Sequence, residues 1–521
     1  MSTRALHAAG ESIGHAASPI EHRAAKVSLV NGLSTILGIS FQLVSVPVCL
    51  HYWGKETYGS WLALFSAFML LRGIDGGFTT FVGNKLNYLY HQNVGLLREH
   101  LSSSVFGILI ISFLQLVLAL GMVILDPLSN MLGMPAHQDG LPAKLGLMAL
   151  MVSWVLTGSY LGIVHRLLIP AGLMYQSAWW AMGFQICQFA AIMIAATLRM
   201  DLLWASVLFA LSQIIIYVSS AIYVRRKLPE FSPWLLGAKR SLGLRDLVDS
   251  LFLTTSNLVQ QSVVNGSVLL VSILAGPVAV PMFTTVRAVT NLWTAVTTVL
   301  STPLLPDVVR IRALGDTQKL VTINQAYWAV VGSAVNLGAI LSYPLIPFLY
   351  NLWTGHAVAL DRSLLCLLLG SVVVANSGAL MAMHLNGINS LRIVLGASLA
   401  RALMGLGVGA LGFRRLGLVS FGLGILIGEI VATLMTARVF VKHEVTARGA
   451  RMPWLDVGPV SLGTGSVLLF FTGAGFGWWT VGYEWLIAVI CSGIASIWGW
   501  TTLETDLQQR LQRIPFALLG L

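Results

Sequence analysis

The chain has 521 residues, of which 56% are hydrophobic and only 10% charged, with a mean hydropathy of +0.81; ordinary soluble chains carry about 25% charged residues. This excludes a soluble globular protein and predicts an all-α polytopic membrane protein, because a helix satisfies its own backbone groups in lipid. The net charge of +11 is the one feature that would suggest nucleic acid, and the placement of the charges argues against that partner.

Residues 1–27 read as a cytoplasmic N-terminal lead, its first part (Met1 to His22) disordered or interfacial. They are too polar for a secretory signal, and no small-residue cleavage site follows the first apolar run near Ser28. Fourteen apolar spans then follow, at about 28–50, 57–80, 102–125, 142–164, 171–197, 202–224, 247–274, 278–304, 323–349, 363–386, 391–412, 417–440, 457–479 and 483–503. With the N-terminus inside, 22 of the 31 Lys and Arg fall on inside segments and six on outside ones. That bias is what the positive-inside rule requires if both termini are cytoplasmic. Arg414 and Arg415, on the outside, fit poorly.

The first span carries Asn31, Thr35, Gln42 and Ser45 at helical spacing, with Gly38 between them. The second is aromatic above and charged below: Tyr58, Trp61, Phe65, Phe68, Arg72, Asp75, Thr79. Arg72 and Asp75 are three residues apart, close enough to pair on one face. Six spans occupy 28–224 as an N-lobe, and the basic segment 225–245, with Pro229 and Pro233, reads as a cytoplasmic linker. Residues 246–442 form a C-lobe of six more spans, 443–503 a final helix pair, and 504–521 an amphipathic cytoplasmic tail with Leu507 and Leu511 opposite Arg510 and Arg513. A faint internal repeat aligns segments starting at Gly54 and Gly276, each in a short outside turn.

Span seven repeats the polar striping with Ser250, Thr254, Asn257, Gln261 and Asn265. Span eight carries Thr284, Arg287, Asn291, Thr294, Thr298 and Ser301 on one face. A charge as deep as Arg287 costs about 2.5–17 kcal/mol unless protein or water surrounds it. Its fork-shaped guanidinium, without a carboxylate on its own helix, suits a phosphate or pyrophosphate. Such side chains also join helices by hydrogen bonds. Four stripes on the four helices the repeat singles out nevertheless point to a shared hydrated cavity. Arg401 reads as a member of a lobe-interior pair, and Glu429 and His384 read as satisfied interhelical polar groups ahead of the alternative, proton sites.

The run Gly407 to Gly412 matches GxGxxG, but it lies within an apolar span with no strand before it, so it is a helix-packing face. No Walker lysine motif, HExxH or GxSxG occurs, and the four cysteines form no metal-ligand pairing. A carrier rather than an enzyme is expected, with no cofactor and no metal.

The segment His51-Tyr52-Trp53-Gly54-Lys55-Glu56-Thr57-Tyr58-Gly59-Ser60-Trp61, followed by Ile74-Asp75-Gly76-Gly77-Phe78, resembles the polysaccharide (O-antigen type) flippases. These belong to the multidrug/oligosaccharidyl-lipid/polysaccharide exporter superfamily. Trp53-Gly54, Tyr58-Gly59, Trp61 and Asp75-Gly76-Gly77 carry the likeness. It implies translocation of a polyprenyl-pyrophosphate-linked oligosaccharide across the bacterial inner membrane for lipopolysaccharide or exopolysaccharide assembly. It also implies a cationic cavity among helices one, two, seven and eight, with membrane lipid around the carrier and a glycan polymerase and chain-length regulator as candidate protein partners. Arg72 and Arg287 do not align in the two-lobe repeat, which argues against a symmetric arginine clamp. Substrate contact is expected from Arg287, Arg72, Asp75, Asn291, Gln42, Asn31, Asn257, Gln261, Asn265 and Trp61. An ion-coupled small-molecule exporter of the same superfamily is the alternative reading. A membrane glycan polymerase or ligase is disfavoured, because the longest outside loop, about 126–141, is too short for a catalytic site.

Overall fold

The structure, a computed structural model, describes residues 19–90, 94–125, 140–234, 236–301, 316–387, 390–446, 454–479 and 481–503, and a few isolated positions between and after them. The expected lead before Pro19 and nearly all of the amphipathic tail lie outside the described residues, as does the side chain of Asn31. Every regular element among the described residues is helical.

Helix α1 (Pro19–Arg72) runs through the first two expected spans and starts earlier than the apolar pattern suggested; proline at a first helical position is pre-organised for that role. At Gly54 the backbone leaves helical space, with φ 72° and ψ 179°. Only glycine adopts that conformation without strain. Gly276, between α9 and α10 below, has almost the same torsions, φ 81° and ψ 168°. The repeat seen in sequence therefore has a backbone counterpart at both of its starting glycines.

A single 3₁₀ turn, Gly73–Asp75, joins α1 to α2 (Gly76–Tyr90), and α3 (Val94–Ile124) follows. The fourth span is α4 (Leu141–Ser153), a π-helical turn (Trp154–Ser159) and α5 (Tyr160–His165); α6 (Met174–Thr197) and α7 (Leu202–Lys227) complete the lobe. In the second lobe α8 (Arg240–Gln261) passes through a π-helical turn (Ser262–Gly266) into α9 (Ser267–Ala275), and α10 (Ala279–Ser301) carries the Arg287 stripe. Then come α11 (Thr317–Tyr327), α12 (Ser333–Ser342), α13 (Ile346–Thr354), α14 (Arg362–Ser377), α15 (Ala379–Gly387), α16 (Leu391–Leu416) and α17 (Val419–Val439). The final pair is α18 (Trp454–Gly475) and α19 (Tyr483–Thr501).

Among the described residues ten helices are long and apolar enough to cross a membrane, and up to twelve if each of two bent pairs, broken by 74° and 55°, counts as one span. The first of the ten runs through the Gly54 break and so holds two expected spans. Helix α10 is not among them, because its threonines, Asn291 and Arg287 lower its mean hydropathy; its 23 residues are still long enough to cross. With these two adjustments the fourteen expected spans are accounted for.

The two largest buried clusters are drawn mainly from residues 46–209 and from residues 268–488. Gly409 and Gly412 lie against Phe421 and Ser420 of α17, so the GxGxxG run is a close helix contact. The segment after α7 packs on α3: Ser102 Oγ donates to the Leu236 carbonyl at 2.9 Å, and Lys239 pairs with Glu99 at 2.8 Å.

Candidate functional site

The lobes meet where α8 crosses the junction of α1 and α2. A Cβ on Gly73 would press on the Gln261 side chain, one on Gly76 on Asn257, and one on Gly77 on the Thr254 backbone. The absence of side chains in this Gly-rich run is what lets α8 approach so closely. Asn257 Nδ2 donates to the Gly73 carbonyl at 2.7 Å, using an acceptor at the change from α to 3₁₀ helix. Nearby, Gln115 Nε2 donates to the Leu71 carbonyl at 3.0 Å. Further along the interface Lys85 Nζ lies 2.6 Å from Asp246, whose side chain is fully buried, and His100 Nδ1 faces the other Asp246 oxygen at 3.5 Å. At the opposite end, a Cβ on Gly59 would collide with the Pro277 carbonyl, and Trp353 Nε1 donates to the Leu43 carbonyl at 2.7 Å.

Beside the Asn257 contact lies a cavity of about 430 Å³ lined by Arg72, Asp75, Trp154, His165, Arg166, Tyr217, Asn257 and Gln261, among others. Four of the expected substrate residues, Arg72, Asp75, Asn257 and Gln261, are thus brought together. Arg72 and Asp75 do not form a direct ion pair. Trp154 stands between their roles: its indole N–H donates to Asp75 Oδ2 at 2.8 Å, while the Arg72 guanidinium lies 4.0 Å from its ring centroid. Ser159 Oγ also donates to Asp75 Oδ2, at 3.1 Å. Both donors come from the π-helical turn, a local widening often found at functional sites. Asp75 is thereby held by neutral donors, while Arg72 Nη1 lies 3.8 Å from Met69 Sδ and has no carboxylate partner among the described residues. Arg166 adds a second guanidinium, so among the described residues the chamber carries two guanidinium groups against one carboxylate.

A second cavity, of about 360 Å³, lies further along α1 and α6. Gln42, Trp61, Phe65, Gln185, Gln188 and Thr284 are among its lining residues. It takes up two more expected residues, Gln42 and Trp61.

Arg287, Asn265 and Asn291 line neither chamber. Arg287 Nη1 donates to the Val264 carbonyl at 2.8 Å and to Ser267 Oγ at 3.0 Å, with its guanidinium 5.6 Å from the Phe283 ring. Val264 belongs to the π-helical turn between α8 and α9, and its carbonyl accepts from both Arg287 Nη1 and Ser267 Oγ. Among the described residues no carboxylate pairs with it. Asn265 Nδ2 donates to Gln261 Oε1 at 2.8 Å, and Asn291 is exposed. Arg401 is held by Glu429, with Nε 2.9 Å from both carboxylate oxygens, and His384 lies 3.5 Å from Glu444.

Trp154, His165, Arg166 and Tyr217 were not anticipated. For Arg166, the position directly after an apolar run and beside His165 is a readable sign of a span end turned inward.

No protein-family model and no curated protein matches the sequence. Solved structures do match in fold. A lipid II flippase MurJ in an inward closed conformation superposes with a TM-score of 0.65 at 14% identity, covering 92% of this chain and 99% of that one. An inward-facing multidrug resistance MATE family transporter of the MOP superfamily gives 0.62 at 17%, covering 78% and 94%. A Vibrio cholerae MATE transporter gives 0.56 at 16%, covering 81% and 97%. At these identities the likeness establishes a shared fold: the chain is an integral membrane protein with the architecture of these transporters.

Proposed function

We propose that the protein is a flippase that moves a polyprenyl-pyrophosphate-linked oligosaccharide from the cytoplasmic to the periplasmic leaflet of the bacterial inner membrane, for polysaccharide or lipopolysaccharide assembly. The observation that carries this reading is the chamber at the lobe junction, where Arg72 and Arg166 face a cavity of about 430 Å³ with Asp75 already engaged by Trp154 and Ser159. Guanidinium forks match phosphate oxygens in geometry as well as charge. The polyprenyl tail stays in lipid while the head group crosses, and rocking of the two lobes about the Gly73–Asp75 junction alternates access. Both termini are cytoplasmic, in keeping with the placement of Lys and Arg. Arg287, Asn291 and Asn265 come into contact with substrate as the lobes separate, Arg287 exchanging its carbonyl partner for the anion.

An ion-coupled exporter of small molecules is the second reading, favoured by the MATE likeness and by Asp75 as a buried carboxylate in a polar chamber. One experiment separates them. Purified protein is reconstituted with a lipid-linked oligosaccharide bearing a fluorophore on the glycan, and an impermeant quencher is added outside. Flippase activity exposes the inner-leaflet pool to the quencher in protein-containing vesicles alone. If those vesicles keep their inner pool as protected as protein-free ones, while a cationic dye is exported, the exporter reading replaces this one.

A further inference from the structure

The second chamber is chemically unlike the first. Its walls are aromatic: Trp61 and Phe65 stack at 5.9 Å between centroids, and Phe41 lies parallel to Phe189 at 4.1 Å. Among the described residues no charged side chain lines it. Its polar lining is supplied chiefly by the carboxamides of Gln42, Gln185 and Gln188. Gln185 Oε1 and Gln188 Nε2 are buried with no hydrogen-bond partner. An amide atom left unpaired at membrane depth is costly, and here one acceptor and one donor are unpaired beside the same cavity. Aromatic faces with a few placed amides are complementary to a ligand that has both C–H faces and hydroxyls. A cationic drug would find no counter-charge, and an anion no guanidinium.

We infer that this chamber is a binding subsite for uncharged sugar units, separate from the cationic chamber and lying further along the same helices. This rests on the flippase reading above for its biological sense. Trp61 and Arg72 stand on one arm of α1, so at 1.5 Å rise per residue the two chambers are stacked roughly 16 Å apart. Helix α6 lines both, with Ser177 in one and Gln185 and Gln188 in the other. A head group with its anion at Arg72 would extend its sugars along α1 and α6 toward Trp61. The volume, about 360 Å³, falls in the usual range of ligand pockets, about 300–1,000 Å³.

The test uses the full protein in nanodiscs with two soluble probes, inorganic pyrophosphate and a panel of neutral trisaccharides (maltotriose, mannotriose, triacetylchitotriose). Saturation-transfer NMR should show transfer to sugar ring protons for at least one trisaccharide, undiminished by saturating pyrophosphate. Gln185→Leu and Gln188→Leu, which keep an apolar helix surface, should each weaken that binding roughly tenfold. Pyrophosphate binding should survive in both and be lost in Arg72→Gln. A saccharide signal that persists even if pyrophosphate fails to bind would still place sugar in the chamber while removing the flippase reading. Displacement of the sugar by pyrophosphate, indifference to both leucine variants, or no transfer to any trisaccharide would overturn the subsite.

Discussion

Replacing Asp246 by asparagine should loosen the junction between the lobes. The carboxylate is fully buried on α8, Lys85 Nζ lies 2.6 Å away on α2, and the Lys85 side chain is 29% exposed. Removing one partner of a buried pair costs about 3–5 kcal/mol. Lys85 can rehydrate when orphaned, so the net loss here should be nearer ~1–2 kcal/mol. His100, 3.5 Å from the other carboxylate oxygen, keeps a hydrogen-bonding neighbour for the asparagine. Because the contact joins the lobes, the loss falls on the closed arrangement and shifts its equilibrium with the open one by roughly 5–30-fold. The readout is a cysteine at Thr79, a chamber residue, in a background with the four native cysteines replaced. An impermeant maleimide should react with it faster in Asp246→Asn by that factor, in inside-out vesicles. Lys85→Met should loosen the junction more than Asp246→Asn, because it orphans the fully buried carboxylate, and adding Asp246→Asn to it should bring reactivity back toward the Asp246→Asn level, the non-additivity of a shared interaction. Unchanged reactivity in Asp246→Asn, or full additivity of the two variants, would refute the reasoning.

Trp154→Phe removes the N–H donor to Asp75 but keeps a ring under Arg72, whereas Trp154→Leu removes both; transport of the lipid-linked glycan should fall moderately in the first and more steeply in the second, and equal rates would show that the ring is irrelevant. Arg287→Ala should slow transport at normal membrane insertion, with Arg287→Lys recovering only part, because a point charge cannot reproduce the fork; wild-type rates in the alanine variant would remove Arg287 from the route. A cysteine at Trp478, which is 73% exposed, should react with an impermeant thiol reagent on intact cells, and one at Lys239 only after permeabilisation. The opposite pattern would invert the assigned orientation.

Much of the fold was readable because a membrane chain advertises its spans by length and hydropathy, and its polar faces by a 3.6-residue period. The stripe Trp61, Phe65, Arg72, Asp75 was visible in that way, and so was Asn257 with Gln261. The partners of those residues were not. Trp154 reaches Asp75 from 79 positions away, and no local spacing encodes that. The separation into two chambers depends on how α6 and α8 pack against α1, a tertiary matter. Arg287 shows the limit most clearly: its partners are the Val264 carbonyl and Ser267 Oγ, at a π-helical turn for which the sequence offers no sign.

The central claim is that the head group crosses through the cationic chamber, and the Arg72→Gln/Arg166→Gln double variant tests it most directly. Reconstituted at wild-type density beside the unaltered protein, it is assayed for exposure of a fluorophore-labelled, pyrophosphate-linked oligosaccharide to an external quencher. Loss of two guanidinium contacts, each a charge-assisted hydrogen-bond site worth about 1.5–3 kcal/mol, should slow flipping by at least roughly a hundredfold, while cysteine labelling at Thr79 shows that the lobes still open and close. Flipping at the wild-type rate by this variant would contradict the account.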